Sequence, residues 1–156
     1  MKLHLITIGT RMPAWVQQGF AEYAGRMPPE CPLLLKELPA GRRGKGADTK
    51  RIVAEESQRL LAAVPKGARV VLLDVEGRLH DTPGVARRLS EWMMEGRDTA
   101  LLVGGPEGVD AACRQRADER WSLSPLTFPH PLVRVILAEQ LYRAWSLLHN
   151  HPYHRA

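Results

Sequence analysis

Cysteine is scarce in this chain. Only Cys31 and Cys113 occur, far apart and outside any CxxC pair, which excludes a disulfide framework and a thiolate zinc site and predicts two reduced, structural thiols. Long apolar runs are missing as well. A stretch such as Val70-Val71-Leu72-Leu73 ends far short of the roughly 18 residues that span a bilayer, so no transmembrane helix is expected. The apolar opening, Leu3 to Ile8, meets Gly9-Thr10-Arg11 without a small-residue cleavage site, so no secretory signal is expected and the protein is predicted to be cytoplasmic. Three nucleotide and ester motifs are absent too. Gly104-Gly105-Pro106-Glu107-Gly108 is not GxGxxG, the basic Gly41-Arg42-Arg43-Gly44-Lys45-Gly46 lacks a GK[ST] ending, and no GxSxG occurs, so nucleotide hydrolysis and ester hydrolysis fall back.

What is present fits one globular domain. The chain has 156 residues, 44% of them hydrophobic, with 22 Lys and Arg against 17 Asp and Glu for a net charge of +5. Such a composition argues against disorder, and its positive balance makes a polyanion, nucleic acid first, the leading partner class.

Strands and helices alternate along the sequence. Leu3, Leu5, Ile6 and Ile8 read as a buried strand, and Pro13 then opens a helix whose face carries Val16, Phe20, Tyr23 and Met27, stopped by Pro28-Pro29. Leu33 to Leu38 reads as a second strand. Asp48 caps a helix faced by Ile52, Leu60, Leu61 and Val64, which Pro65-Lys66-Gly67 closes. Arg69 to Asp74 is apolar until its last residue, as a strand covered on both faces should be, and is expected to lie centrally. A helix over about Thr82 to Glu95 and a buried strand Ala100 to Val103 follow. The alternation predicts an α/β domain with a mostly parallel sheet and helices on both faces. The last helix, about Pro131 to Leu148, is apolar nearly all round apart from Arg134, Glu139, Gln140, Arg143 and Ser146. It needs cover on two sides, from deep burial or from a second copy of the chain; a homodimer through this helix is the expectation.

In open α/β sheets ligands bind beyond the carboxyl ends of the strands. Three loops qualify: Asp74-Val75-Glu76-Gly77, Gly104 to Gly108, and Ser122 to His130 with its prolines. The glycines admit a ligand close to the main chain, although a plain tight turn explains them as well. Arg42, Arg43, Lys45, Lys50 and Arg51 surround a single acid, Asp48, and suit a phosphate backbone or a solvated surface loop. Arg42, Arg43 and Lys45 are the candidate RNA contacts. The tail His149-Asn150-His151-Pro152-Tyr153-His154-Arg155-Ala156 concentrates stacking and hydrogen-bonding groups; with no local acid or cysteine beside the histidines, no metal is expected there, and an RNA contact fits better.

The opening KLHLITIGTRMPAWVQQGFAEY, the basic PAGRRGKGAD, the LLVGGPEG turn and the run WSLSPLTFPHPLVRVILAEQLYRAWSLLHNHPYHR together resemble the RlmH-type methyltransferases, small SPOUT-class enzymes acting on large-subunit ribosomal RNA. The likeness is nearly full length and implies a single SPOUT domain over residues 1–156, with a SPOUT-type α/β knot that includes a C-terminal trefoil knot. It implies S-adenosylmethionine as cofactor, N3 of a pseudouridine in helix 69 of 23S rRNA as target, the assembled ribosome as substrate, and a homodimer. Position by position it implies a cofactor pocket from Leu73, Gly104, Gly105, Leu123, Ser124, Pro125, Leu126, Thr127 and Phe128. His130, Glu139, Tyr153 and Arg155 fall where the family places substrate and catalytic groups. His130 is a candidate base because imidazole titrates nearest neutrality, with a structural role in its loop as the alternative. The competing function is a non-catalytic RNA-binding or ribosome-associated factor, which would need no small-molecule pocket.

Overall fold

The structure, a computed structural model, describes residues 1–155. In chain order it comprises β1 (Leu3–Ile8), α1 (Ala14–Ala24), β2 (Leu33–Leu38), α2 (Thr49–Ala62), β3 (Arg69–Leu79), α3 (Thr82–Glu95), β4 (Thr99–Val103), α4 (Ala111–Arg116), β5 (Glu119–Ser122) and α5 (His130–Leu148). Parallel neighbours need a crossover between them, and each strand here is followed by a helix. All five strands join one parallel sheet in the order β2-β1-β4-β3-β5.

The pleat sends alternate side chains to opposite faces. Leu3, Leu5, Val71, Leu101 and Val103 pack under α1, α3 and α5, while Ile6, Ile8, Val70, Leu72 and Leu102 meet residues of α2 and α4. Helix starts follow their caps. The Asp48 carboxylate accepts from the Arg51 amide at the start of α2, and Asp81 accepts from the Gly84 amide at the start of α3.

Two expectations need correction. β4, not the Arg69–Asp74 strand, occupies the centre of the sheet. Val70, Val71 and Leu72 are as fully buried as β4, because any interior parallel strand is covered on both faces, so an apolar run does not rank strands by position. β3 also continues past Asp74 to Leu79, with a register shift between Leu73 and Arg78 against β5 that pushes residues 74–77 out of the ladder. Gly77 is required there: a Cβ would lie 2.7 Å from the backbone of Arg120 and Trp121. The short α4 and β5 are additions to the expected pattern. Glu119-Arg120-Trp121-Ser122 has one large apolar residue, Trp121, which is buried and stacks on Trp92 at 5.3 Å.

α5 lies between α1 and α3 on one face. Its middle is deeply buried through Leu137, Ala138, Leu141 and Tyr142, whereas Leu132, Val133, Val135 and Ile136 near its start stay half-exposed. Arg134 is buried within it at 2% exposure. A buried cation needs partners, and Arg134 donates to Glu37 Oε2 at 2.6 Å and to the Gly9 carbonyl at 3.1 Å, tying α5 to the ends of β2 and β1.

Candidate functional site

The bulge of β3 and the carboxyl ends of β4 and β5 open into one cavity of about 380 Å³, within the size range of small-molecule sites. Leu73, Gly104, Gly105, Leu123, Ser124, Leu126, Thr127, Phe128 and His130 line it. Pro125 is exposed and stands outside the lining. The walls are mainly apolar, adding Val103, Val109 and Trp121, with Asp74, Glu107 and Arg114 as the charged groups beside them; the Asp74 carboxylate is paired with Arg114 at 3.6 Å and Arg120 at 3.5 Å. Local bonds shape the last loop: Ser122 Oγ donates to the Ser124 carbonyl at 3.1 Å, and Ser124 Oγ accepts from the Leu126 amide at 3.0 Å.

Gly104-Gly105-Pro106-Glu107-Gly108 folds back on itself, the Gly108 amide donating to the Gly105 carbonyl at 2.9 Å. The absence of side chains in this turn answers to the protein more than to any ligand. A Cβ on Gly104 would stand 2.8 Å from Val109 Cγ1, and one on Gly105 would stand 2.7 Å from Glu56 Oε1 and 2.9 Å from Arg43 Nη2. Behind the turn is therefore an ion pair.

Glu56 is 1% exposed, on α2. Its carboxylate receives both arms of Arg43, Nη1 at 2.8 Å and Nη2 at 2.8 Å, and also the Gly41 amide at 2.8 Å. Arg43 donates as well to Glu107 Oε2, from Nε at 2.9 Å and from Nη2 at 2.6 Å. Hydrogen bonds from Arg43 hold the Glu107 carboxyl below its usual value. Of the three cations expected to contact RNA, then, Arg42 and Lys45 are exposed and Arg43 is committed to two carboxylates. Glu56 escaped the sequence reading, yet a signal was there. It sits midway between Ile52 and Leu60 at four-residue spacing, a charge on the buried stripe of α2.

His130 opens α5 beneath the turn. Burial is the main cause that pushes its imidazole below 6.5, the Gly105 carbonyl acting in the opposite sense. Its Nδ1 is buried without a hydrogen-bond partner.

The other three expected catalytic residues lie elsewhere. Glu139 is nine positions further along α5, about 13 Å along the axis at 1.5 Å per residue. Its carboxylate accepts from Tyr153 Oη at 3.0 Å, Arg143 Nε at 2.8 Å and Gln140 Nε2 at 2.8 Å. The Tyr153 ring packs against Tyr142 at 4.7 Å and under the Arg143 guanidinium at 4.8 Å. Burial, helped by the bond to Glu139, pushes the phenol up to about 12, so it stays protonated and serves as a donor. Arg155 is exposed at the end of this cluster. The tail histidines do not converge: His149 stacks on Trp145 at 4.6 Å, and His154 Nδ1 lies 3.3 Å from Arg143 Nη1. Among the described residues no group of three or more His, Cys, Asp or Glu is placed to hold a metal, and no helix is long and apolar enough to cross a membrane. Desolvation raises both thiols, Cys31 and Cys113, to about 11, as suits buried reduced cysteines.

Comparison with known proteins places this geometry. Two solved structures share the fold. One comes from work titled "Structural insights into the 2-OH methylation of C/U34 on tRNA", with a TM-score of 0.51 at 18% identity, covering 93% of this chain and 91% of the other. The other is a probable methylase family protein from Haemophilus influenzae Rd KW20, with a TM-score of 0.55 at 10% identity, covering 99% of this chain and 70% of the other. Sequence likeness is far higher to proteins named "Ribosomal RNA large subunit methyltransferase H". The protein from Thioalkalivibrio sulfidiphilus is 64% identical over 155 residues, covering 99% of each chain, and that from Methylococcus capsulatus is 59% identical over 155 residues, covering 99% of this chain and 100% of the other. The family model described as "Predicted SPOUT methyltransferase" matches residues 1–154. With a parallel α/β sheet, a cavity at its carboxyl end and relatives of this identity across the full length, the chain belongs to the SPOUT methyltransferase family, in its RlmH-type branch.

Proposed function

We propose that this SPOUT methyltransferase transfers a methyl group from S-adenosylmethionine to N3 of a pseudouridine in helix 69 of 23S rRNA, within the assembled ribosome of the cytoplasm. The observation that carries the reading is the cavity at the β3 bulge and the ends of β4 and β5, lined by all the residues that the family resemblance assigns to the cofactor except Pro125. A non-catalytic RNA-binding factor has no use for such a pocket. The lining fits: apolar walls from Leu73, Leu123, Leu126 and Phe128 suit a flat purine, and the Asp74–Arg114 pair at the edge offers both signs of charge to the zwitterionic amino-acid end of the ligand. When bound, S-adenosylmethionine supplies an electrophilic methyl group on its sulfonium. The β3 bulge and the loops after β4 and β5 would hold and orient it, which is the larger part of catalysis for an intrinsically reactive donor. His130, neutral above its lowered pKa, accepts the proton that leaves the target nitrogen.

Dimerisation belongs to the same reading. His130 lines the cavity, whereas Glu139, Tyr153 and Arg155 sit at the far end of α5. Two copies related by a two-fold axis bring the tail cluster of one to the cavity of the other. The half-exposed Leu132, Val135 and Ile136, with the 70% exposed Leu126, are the apolar surface this interface uses. The C-terminal trefoil knot that the resemblance implies belongs to the same reading, and α5, packed between α1 and α3 with Arg134 bonded to Gly9 and Glu37, is the segment that would form it.

The direct test is transfer of labelled methyl from S-adenosylmethionine to whole ribosomes, isolated subunits and free rRNA, with the product nucleoside identified. Incorporation into ribosomes at the pseudouridine is expected. Cofactor binding without any methylated nucleoside would sink the reading.

Two further results follow. Arg42→Glu combined with Lys45→Glu weakens ribosome binding and lowers its salt dependence by about 0.7 to 0.9 in slope for each phosphate no longer neutralised, leaving cofactor affinity intact. An unchanged slope would return the loop to a solvated surface. For pH, kcat/KM rises with pH through the lowered His130 value, below 6.5, and is flat through neutrality, because the neutral imidazole is the active form. Stability moves the same way: below 6.5 the unfolded chain binds this proton before the folded one does, so stability falls as pH falls and is fully present above 6.5. His130→Gln removes the acid limb in the rate profile; a limb that survives assigns the base elsewhere.

A further inference from the structure

We infer that Arg43, Glu56 and Glu107 form a clasp that positions the cofactor turn, so that Arg43 serves cofactor affinity rather than RNA binding. The inference rests on the reading of the cavity as the S-adenosylmethionine site. Arg43 lies on the loop before α2, Glu56 is buried on α2, and Glu107 is in the turn after β4. One guanidinium thus joins three separate segments through bonds of 2.6 to 2.9 Å. A planar fork with fixed donors can do this and a lysine ammonium cannot. The pair lies against Gly105, within 2.7 Å and 2.9 Å of where a Cβ would be. It therefore sets the height of the backbone that forms one wall of the cavity. The Gly105 carbonyl also faces His130, so a turn that drops away from the clasp alters the surroundings of the candidate base as well.

These are positioning residues, and their signature is a split between binding and turnover. In Glu107→Gln and in Arg43→Lys the Kd and KM for S-adenosylmethionine rise about tenfold, the loss expected when one charge-assisted bond no longer holds the wall. Turnover at saturating cofactor stays within about twofold, since the reacting groups are intact. The double variant is no worse than Arg43→Lys alone, because that change already removes the guanidinium that Glu107 holds. Amide exchange quickens at residues 104–108 and not in the sheet. Glu107 is on the surface, so Glu107→Gln carries the test even if Arg43→Lys fails to fold. Calorimetric titration of the wild type with S-adenosylmethionine separates the two levels of the argument. A wild type that binds none overturns the cofactor reading and the clasp with it. Wild-type binding together with unchanged affinity in folded variants overturns the clasp alone. So does Arg43→Gln if it lowers the ribosome salt slope and leaves cofactor affinity untouched, since Arg43 would then be a phosphate contact.

Discussion

Gly105→Val is expected to lose S-adenosylmethionine binding by about 100-fold or more, roughly 2.7 kcal/mol. The lesion is on the protein side of the turn. The first carbon of any side chain would meet Glu56 Oε1 at 2.7 Å and Arg43 Nη2 at 2.9 Å, and Glu56, at 1% exposure with three donors on it, yields only by giving up bonds to Arg43 or to the Gly41 amide. Either the pair separates or the turn moves towards the cavity, and both outcomes damage the wall. The same geometry makes a sharper claim. If glycine were there only to let a ligand approach, alanine would be a mild change; with the clasp behind it, Gly105→Ala already costs most of the affinity. Calorimetric titration of both variants, with thermal unfolding to confirm the fold, checks this. A folded Gly105→Ala that binds as tightly as wild type would show that the turn is held by something else.

The architecture was readable wherever a segment was long enough to repeat its pattern. Val16 and Phe20 on α1, Ile52 and Leu60 on α2, and the continuous runs of β3 and β4 all face the core as their spacing demands. α4 and β5 are too short for that. Six and four residues complete barely two turns and a few pleats, and Glu119-Arg120-Trp121-Ser122 is placed by the exposed edge of β3 more than by its own preference. The site divided along another line. Main-chain loops at strand ends are a property of topology, so the loops around the cavity could be named from the order of elements, while the single residues came from the family resemblance. Partnership among charges is not. Arg42, Arg43 and Lys45 are equivalent cations in sequence, and what separates them is a carboxylate on the buried face of a helix and another after β4. Likewise the resemblance set Glu139 and Tyr153 beside His130 as one group, whereas the bond between Glu139 and Tyr153 and their distance from His130 depend on α5 being one unbroken rod.

That distance sets the last expectation, that activity returns when two inactive variants are mixed. The first is Gly105→Val, defective in the cofactor loops. The second is truncated before Tyr153 and lacks Tyr153 to Ala156, so it keeps the cavity and loses the donor that bonds Glu139 together with Arg155. Homodimers of either kind are inactive. In a heterodimer one composite site carries both lesions, while the other combines the intact loops of the truncated chain with the intact tail of the Gly105→Val chain. Random exchange makes half of the dimers mixed, each with one working site of two, so about a quarter of wild-type methylation returns. Subunit exchange is followed separately, by mass on differently tagged chains, because a knotted or tightly packed α5 interface exchanges slowly and needs co-expression to scramble. Demonstrated exchange with no recovered activity would mean that each chain builds its whole site from its own residues. For that, the Tyr153 and Arg155 tail would have to leave Glu139 and Arg143 and cross about 13 Å of α5 to reach its own cavity. Breaking the half-buried phenol–carboxylate bond and the two ring contacts to make that journey works against it, whereas a partner's cavity brought to the tail by a two-fold axis leaves all three in place.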